Sequence, residues 1–274
     1  MGRHVMECMG KTRVVVEDGK VVEVGEPQVR YCPLFKKYRG IEEITPDVVK
    51  ENVEYRMRTF GMCCDDRQVR MKDFVSFGVS EILSSAIRDG VLDAAVIAAD
   101  GCGTVVVRDP EIVQGLGGRI SGICETSPIE NVMDQVGREN VLDPQTAAID
   151  MVAGARKAKD MGLKRIAVTV AFADHARAVK SAYGDGAVVI AVHISGSSED
   201  EAAVLFENCD IVTGCASHSV REEAKRRGVY TAGSKIPVFG VSDVGRMLIS
   251  RKLEEIGKGP FDGAVPEDLP KPLI

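Results

Sequence analysis

Tryptophan is absent from the 274 residues, and aromatic side chains make up only 5% of them. The stacking platforms on which proteins hold single-stranded nucleic acid are therefore scarce. Positive charge is in deficit as well. The formal net charge is −6, and binding to a phosphate backbone draws its affinity from clustered Lys and Arg. The small group Arg67, Arg70 and Lys72 reads as a solvated face. No run approaches the roughly 20 apolar residues that cross a bilayer, and Met1 to Cys8 lacks the apolar core of a signal peptide. The expectation is a cytoplasmic protein that acts on a small molecule, without a nucleic-acid or membrane partner and with a homodimer as an allowed assembly. CxxC pairs are also missing, which removes the strongest zinc and redox signatures although cysteines stand at 8, 32, 63, 64, 102, 124, 209 and 215.

With 45% apolar residues the chain can bury one substantial core and carry a small appendage beside it. Arg13–Glu17 and Lys20–Val24 are β-rich runs around Asp18-Gly19, the dipeptide that suits a type I′ hairpin. Thr45-Pro46 gives an N-cap and an N1 proline, and Val49, Val53, Met57 and Phe60 share a helical face that Gly61 ends. Residues 1–70 thus form a small α/β unit. From 71 to 274, amphipathic helices alternate with short apolar runs, as in a parallel sheet covered on both faces. The expected strands are Ala94–Ala99, Arg165–Val170, Ala187–His193, Asp210–Thr213 and Val229–Ala232. The expected helices include one over about 73–89, a long one from Asp143-Pro144 and one over Ser242–Ile256. Ser198 with Glu201 and Ser219 with Glu222 read as capping boxes, and the tail from Gly257 as a surface strap. The fold class expected is α/β, a Rossmann-like, doubly wound, mostly parallel sheet.

In such a sheet the ligand sits beyond the carboxyl ends of the strands. Asp100-Gly101-Cys102-Gly103-Thr104 follows the first of these strands and looks like the glycine-rich first motif of class I methyltransferases. It departs from that motif in three ways: the acidic position falls on Ala99, Val105 replaces a usual glycine, and a strand-like run follows where a helix is expected. A tight turn closing a hairpin is the other reading. Gly214, Cys215 and Ser217 could cradle a phosphate, carboxylate or ribose, with Cys215 either a reactive thiolate or an inert buried thiol. His193 and Ser195 offer an imidazole beside a hydroxyl, and Thr169 and Phe172 stand on a further strand end, with Phe172 either covering a flat ring or packing in the core. In Ser121–Glu130, Glu125 could serve acid–base chemistry, while Thr126 and Ser127 line a ligand or cap a helix before Pro128. Thr169, His193 and Glu125 are the catalytic candidates; the rest are candidates for cofactor binding. As a competing case, Cys8, Cys32, Cys63 and Cys64 could hold zinc or an iron–sulfur cluster, although their spacing fits no standard pattern.

The run Val14–Val24, then Tyr31-Cys32-Pro33, Arg56 to Arg67 with Gly61 and Cys63, and the blocks Ala98–Thr104, Cys124–Pro128 and Ile211–Ala216 extend over nearly the whole chain. Together they resemble the methanogenesis marker 8 family of methanogenic archaea. That family is similar in length and element order to the pyridinol methyltransferase used in making the iron-guanylylpyridinol cofactor. The resemblance implies an enzyme that uses S-adenosylmethionine to methylate a ring carbon of a pyridinol. The alternative is a cysteine-ligated metal or iron–sulfur protein that supports a methanogenesis enzyme without methyl transfer.

Overall fold

The computed structural model describes residues 2–72, 77–117, 122–263, 265 and 268–274. Among these residues are two sheets. In the smaller, β1 (Arg3–Cys8), β2 (Thr12–Glu17) and β3 (Lys20–Val24) form an antiparallel meander, and β6 (Ile123–Thr126) joins beside β1 to give the order β3-β2-β1-β6. The turn between β2 and β3 has Asp18 at φ 48° and Gly19 at φ 73°, the two positive values of a type I′ hairpin. After α1 (Pro33–Arg39) comes α2 (Pro46–Phe60), with Thr45 accepting from Val48 N and Gly61 in the left-handed region at its end. Its Val49, Val53 and Phe60 pack on Met6, Val14 and Val16 of the small sheet.

The seven-stranded sheet is built from β4 (Ala94–Ala99), β5 (Gly103–Val107), β7 (Ile166–Val170), β8 (Ala187–Ala191), β9 (Ile211–Thr213), β10 (Tyr230–Ala232) and β11 (Val238–Gly240). Its order is β10-β11-β9-β8-β7-β4-β5. β4, β7, β8 and β9 are parallel, and β5 and β11 run against their neighbours. This corrects the expected doubly wound order: the parallel strands follow one another in chain order and never reverse. Helices α6 (Met151–Asp160), α7 (Ala173–Tyr183), α8 (Glu199–Asn208) and α9 (His218–Arg227) accordingly pack on one face through Ala155, Val179, Leu205 and Val220. The other face is covered by α3 (Val79–Arg88), α4 (Pro110–Gly117), α5 (Glu130–Val136) and α10 (Asp243–Glu255), which come from within the first long crossover and from either end of the parallel block.

Several local expectations shift. The start of the helix expected at 73–89 lies outside the described residues, and α3 runs from Val79. Asp143-Pro144 opens a turn, because the Asp143 carboxylate accepts from the amides of Gln145 and Thr146 and from the Thr146 hydroxyl. Helix α6 begins instead after Asp150, whose carboxylate accepts from Ala153 N. The Ser198–Glu201 capping box is present. At α9 the cap is Ser217, accepting from Val220 N, and Ser219 lies within the helix. The segment taken for a connection supplies a strand, β6 (Ile123–Thr126), which pairs with β1. The small sheet is therefore completed from beyond residue 71.

The two sheets meet at a buried ion pair. Arg67, expected on a solvated face, has no exposed surface, and neither has Asp100 at the turn after β4. Arg67 Nε donates to both Asp100 oxygens at 3.0 and 3.1 Å, Nη2 donates to Gly115 O at 2.9 Å, and Cys63 N donates to Asp100 Oδ2 at 2.8 Å. Charges taken this far from water are tolerated only when paired and fully hydrogen-bonded. Asp100→Ala should leave an uncompensated guanidinium and lower the unfolding free energy by about 3–5 kcal/mol in urea titrations. A change below about 1 kcal/mol would show that the pair does not hold the sheets together.

Candidate functional site

The candidate residues separate into two groups. The first lies around the β4–β5 turn and is used internally. Gly101, at φ 80°, donates its amide to Thr126 Oγ1 at 2.8 Å, and that hydroxyl also meets His4 Nδ1 at 2.7 Å. Cys102 is fully buried and its thiol is pushed up by burial. Gly103 has φ 61°, and a Cβ there would stand 2.0 Å from Ala147 O. Thr104 Oγ1 accepts from Asp150 N at 2.9 Å. Ser127 Oγ donates to Arg3 O, so neither Thr126 nor Ser127 caps a helix. Glu125 is exposed on the small sheet and pairs with Arg3 at 2.6 Å; Ser121, the start of its segment, lies outside the described residues. The glycine turn is thus a closed hairpin against which the small sheet docks.

The second group shares an edge. Val170 pairs with Ala191, and Ala191 with Val212, so Phe172, His193 and Gly214 stand level, each two residues beyond a paired position. Phe172 is 63% exposed and meets the His175 ring in a T-shaped contact, at 5.3 Å between centroids. His193 at φ 56° and Cys215 at φ 40° occupy the left-handed region without being glycine, a strain of about 1–3 kcal/mol each that tends to gather at functional sites. Thr169 Oγ1 donates to Val96 O at 3.3 Å, which ties β7 to β4. Ser195 Oγ accepts from Ala216 N at 3.0 Å, and Ser217 N donates to Gly214 O.

The small unit closes over this edge. Gly122 N donates to His193 Nε2 at 3.1 Å, while Glu7 N donates to Gly122 O at 2.8 Å. Lys11 Nζ donates to Ser195 O. Beside the edge, α9 walls a cavity of about 410 Å³ lined by His218, Arg221, Lys225, Thr231, Phe239 and Leu273. Lys11 and Arg221 carried no signal in the sequence, because each gains its place through a contact made across the two units or within a loop that only the fold defines. Burial pushes the Cys8 thiol up to about 12 and the Cys63 thiol well above its usual range. Among the described residues no three His, Cys, Asp or Glu side chains converge in a way that could hold a metal ion.

Burial holds the His193 imidazole down, from 6.5 to about 4. The unfolded chain therefore takes up this proton first as pH falls. Stability present above pH 6.5 is lost as pH drops toward about 4, with a slope on the order of 1 kcal/mol per pH unit from this group. His193→Gln should flatten that slope in unfolding measurements made across the window. An unchanged slope would place the proton uptake elsewhere.

Among the described residues no helix is long and apolar enough to cross a membrane. No solved structure matches the chain. A protein of Methanocaldococcus jannaschii, itself titled uncharacterized, is 43% identical over 284 residues, covering 100% of both chains. Residues 4–254 match the family described as "Uncharacterized protein conserved in archaea (DUF2099)". The chain belongs to this archaeal family.

Proposed function

We propose that this protein is a cytoplasmic methyltransferase of methanogen cofactor biosynthesis, which binds S-adenosylmethionine along the ends of β7, β8 and β9 and methylates a pyridinol-type ring. The reaction class comes from the sequence blocks shared with the methanogenesis marker 8 family and from that family's likeness to the pyridinol methyltransferase. A homologue in a Methanocaldococcus accords with a methanogen setting. In this reading the seven-stranded sheet is a Rossmann-like layer wound in one direction.

The observation that carries the proposal is the level placement of Phe172, His193 and Gly214 at adjacent strand ends. The glycine turn does not fit the cofactor, because Asp100 is committed to Arg67 and Gly103 is filled by Ala147. What supports the β7–β9 edge instead is the open Phe172 ring for a flat base and the half-buried Ser195 hydroxyl, which accepts from Ala216 N and keeps its own proton for a ligand. S-adenosylmethionine supplies an activated methyl group when bound. The residues of the chain supply alignment. In the neutral His193 ring, Nε2 receives the Gly122 amide, so Nδ1 bears the proton and is the atom that would donate to an oxygen on the acceptor.

Calorimetry of the full chain with S-adenosylhomocysteine should give a saturable heat, and Phe172→Ala should weaken the affinity at least tenfold while the protein stays folded. At 100 times its dissociation constant the ligand should add about 2.7 kcal/mol of stability. Folded wild-type protein that gives neither heat nor a thermal shift with S-adenosylmethionine or S-adenosylhomocysteine rules the reading out.

A further inference from the structure

Lys11 belongs to the turn that joins β1 to β2, yet its side chain ends on the strand-end edge. Its φ of 56° puts it in the left-handed region without being glycine, as with His193 and Cys215 on that edge. From this turn Nζ donates to Ser195 O at 2.5 Å, a contact between residues 184 apart in the chain. Gly196, at φ 78°, leaves the space that Nζ needs: a Cβ there would stand 2.7 Å from it.

The ammonium is half-buried, and among the described residues no carboxylate lies within ion-pair distance of it. Glu7 senses its charge from further away: burial raises the Glu7 carboxyl and Lys11 partly offsets that rise. An ammonium has three donors, and Ser195 O takes one. A cation partly withdrawn from water is stabilised by an opposite charge in contact with it.

A ligand whose base lies on Phe172, at the end of β7, has one direction in which to extend along the edge. The neighbours of β7 are β4 and β8. The end of β4 is closed by the Arg67–Asp100 pair and by the hairpin into β5. The end of β8 carries His193, Ser195 and Gly196, with Lys11 Nζ held against them.

We propose that Lys11 binds the carboxylate at the amino-acid end of S-adenosylmethionine, an inference that rests on the methyltransferase reading and adds the small unit to its site. The two donors of Nζ left after Ser195 O face the anion, and the β1–β2 turn supplies the cation that the parallel strands lack at this point.

Calorimetry of the full chain compares S-adenosylhomocysteine with decarboxylated S-adenosylhomocysteine, which lacks only the carboxylate. Wild-type protein should bind the former more tightly by about tenfold. Lys11→Gln keeps a hydrogen-bond donor and removes the charge; it should abolish the preference by weakening S-adenosylhomocysteine while the affinity for the decarboxylated ligand stays unchanged. An equal loss for both ligands, or a preference that survives the substitution, overturns the proposal and leaves the methyltransferase reading standing. Wild-type protein that binds neither ligand overturns that reading and this inference with it. Where the variant does not fold, acetylation of wild-type protein by N-hydroxysuccinimidyl acetate decides. Saturating S-adenosylhomocysteine should protect Lys11 in the peptide map and the saturating decarboxylated ligand should not; equal protection by both overturns the proposal.

Discussion

The buried pair of Arg67 and Asp100 is the constraint from which the rest of the architecture follows. Asp100 ends β4 at the point where the chain must turn back into β5, and Arg67 leaves the small unit just after α2. Joining them fixes the small sheet over the carboxyl ends of the parallel strands. The pair is tolerable in a dry environment because the Cys63 amide and the Gly115 carbonyl complete its hydrogen bonds. Gly115 is needed for this approach: a Cβ there would stand 1.9 Å from Val69 O, in the segment that carries Arg67.

The small sheet covers the β4 end, and the strained loops lie at the ends of the neighbouring parallel strands. Two non-glycine residues in the left-handed region, His193 and Cys215, stand there on adjacent strands. Their backbone strain is sustained by contacts from several directions: the Gly122 amide on His193, the Thr213 hydroxyl and the Arg221 guanidinium on Cys215. At the opposite end of β9, Asp210 anchors the strand by accepting from Val189 N and from the Ser242 hydroxyl.

Elements with a strong local signal were legible directly. Asp18-Gly19 has the two residues that tolerate positive φ, and Thr45-Pro46 and Ser198 with Glu201 satisfy helix amides from within four residues. Elements whose reason is distant were not. β6 is a strand because it pairs with β1, and Ile123–Thr126 alone reads as a polar connection. Asp143 resembled a helix start because its carboxylate is equally able to close a turn, and the hydrogen bonds from Leu142 N and Asp150 N to Thr104 decide for the turn.

The sequence by itself determined the α/β class, the apolar runs that become the parallel strands, and the strand-end loops at 169–172, 193–198 and 214–217, since each depends on periodicity or on residues near in the chain. Only the tertiary structure decided that the glycine turn at 100–103 is a closed hairpin and that Arg67 is interior. Those outcomes depend on which distant groups meet, and local propensity carries no term for a partner far along the chain.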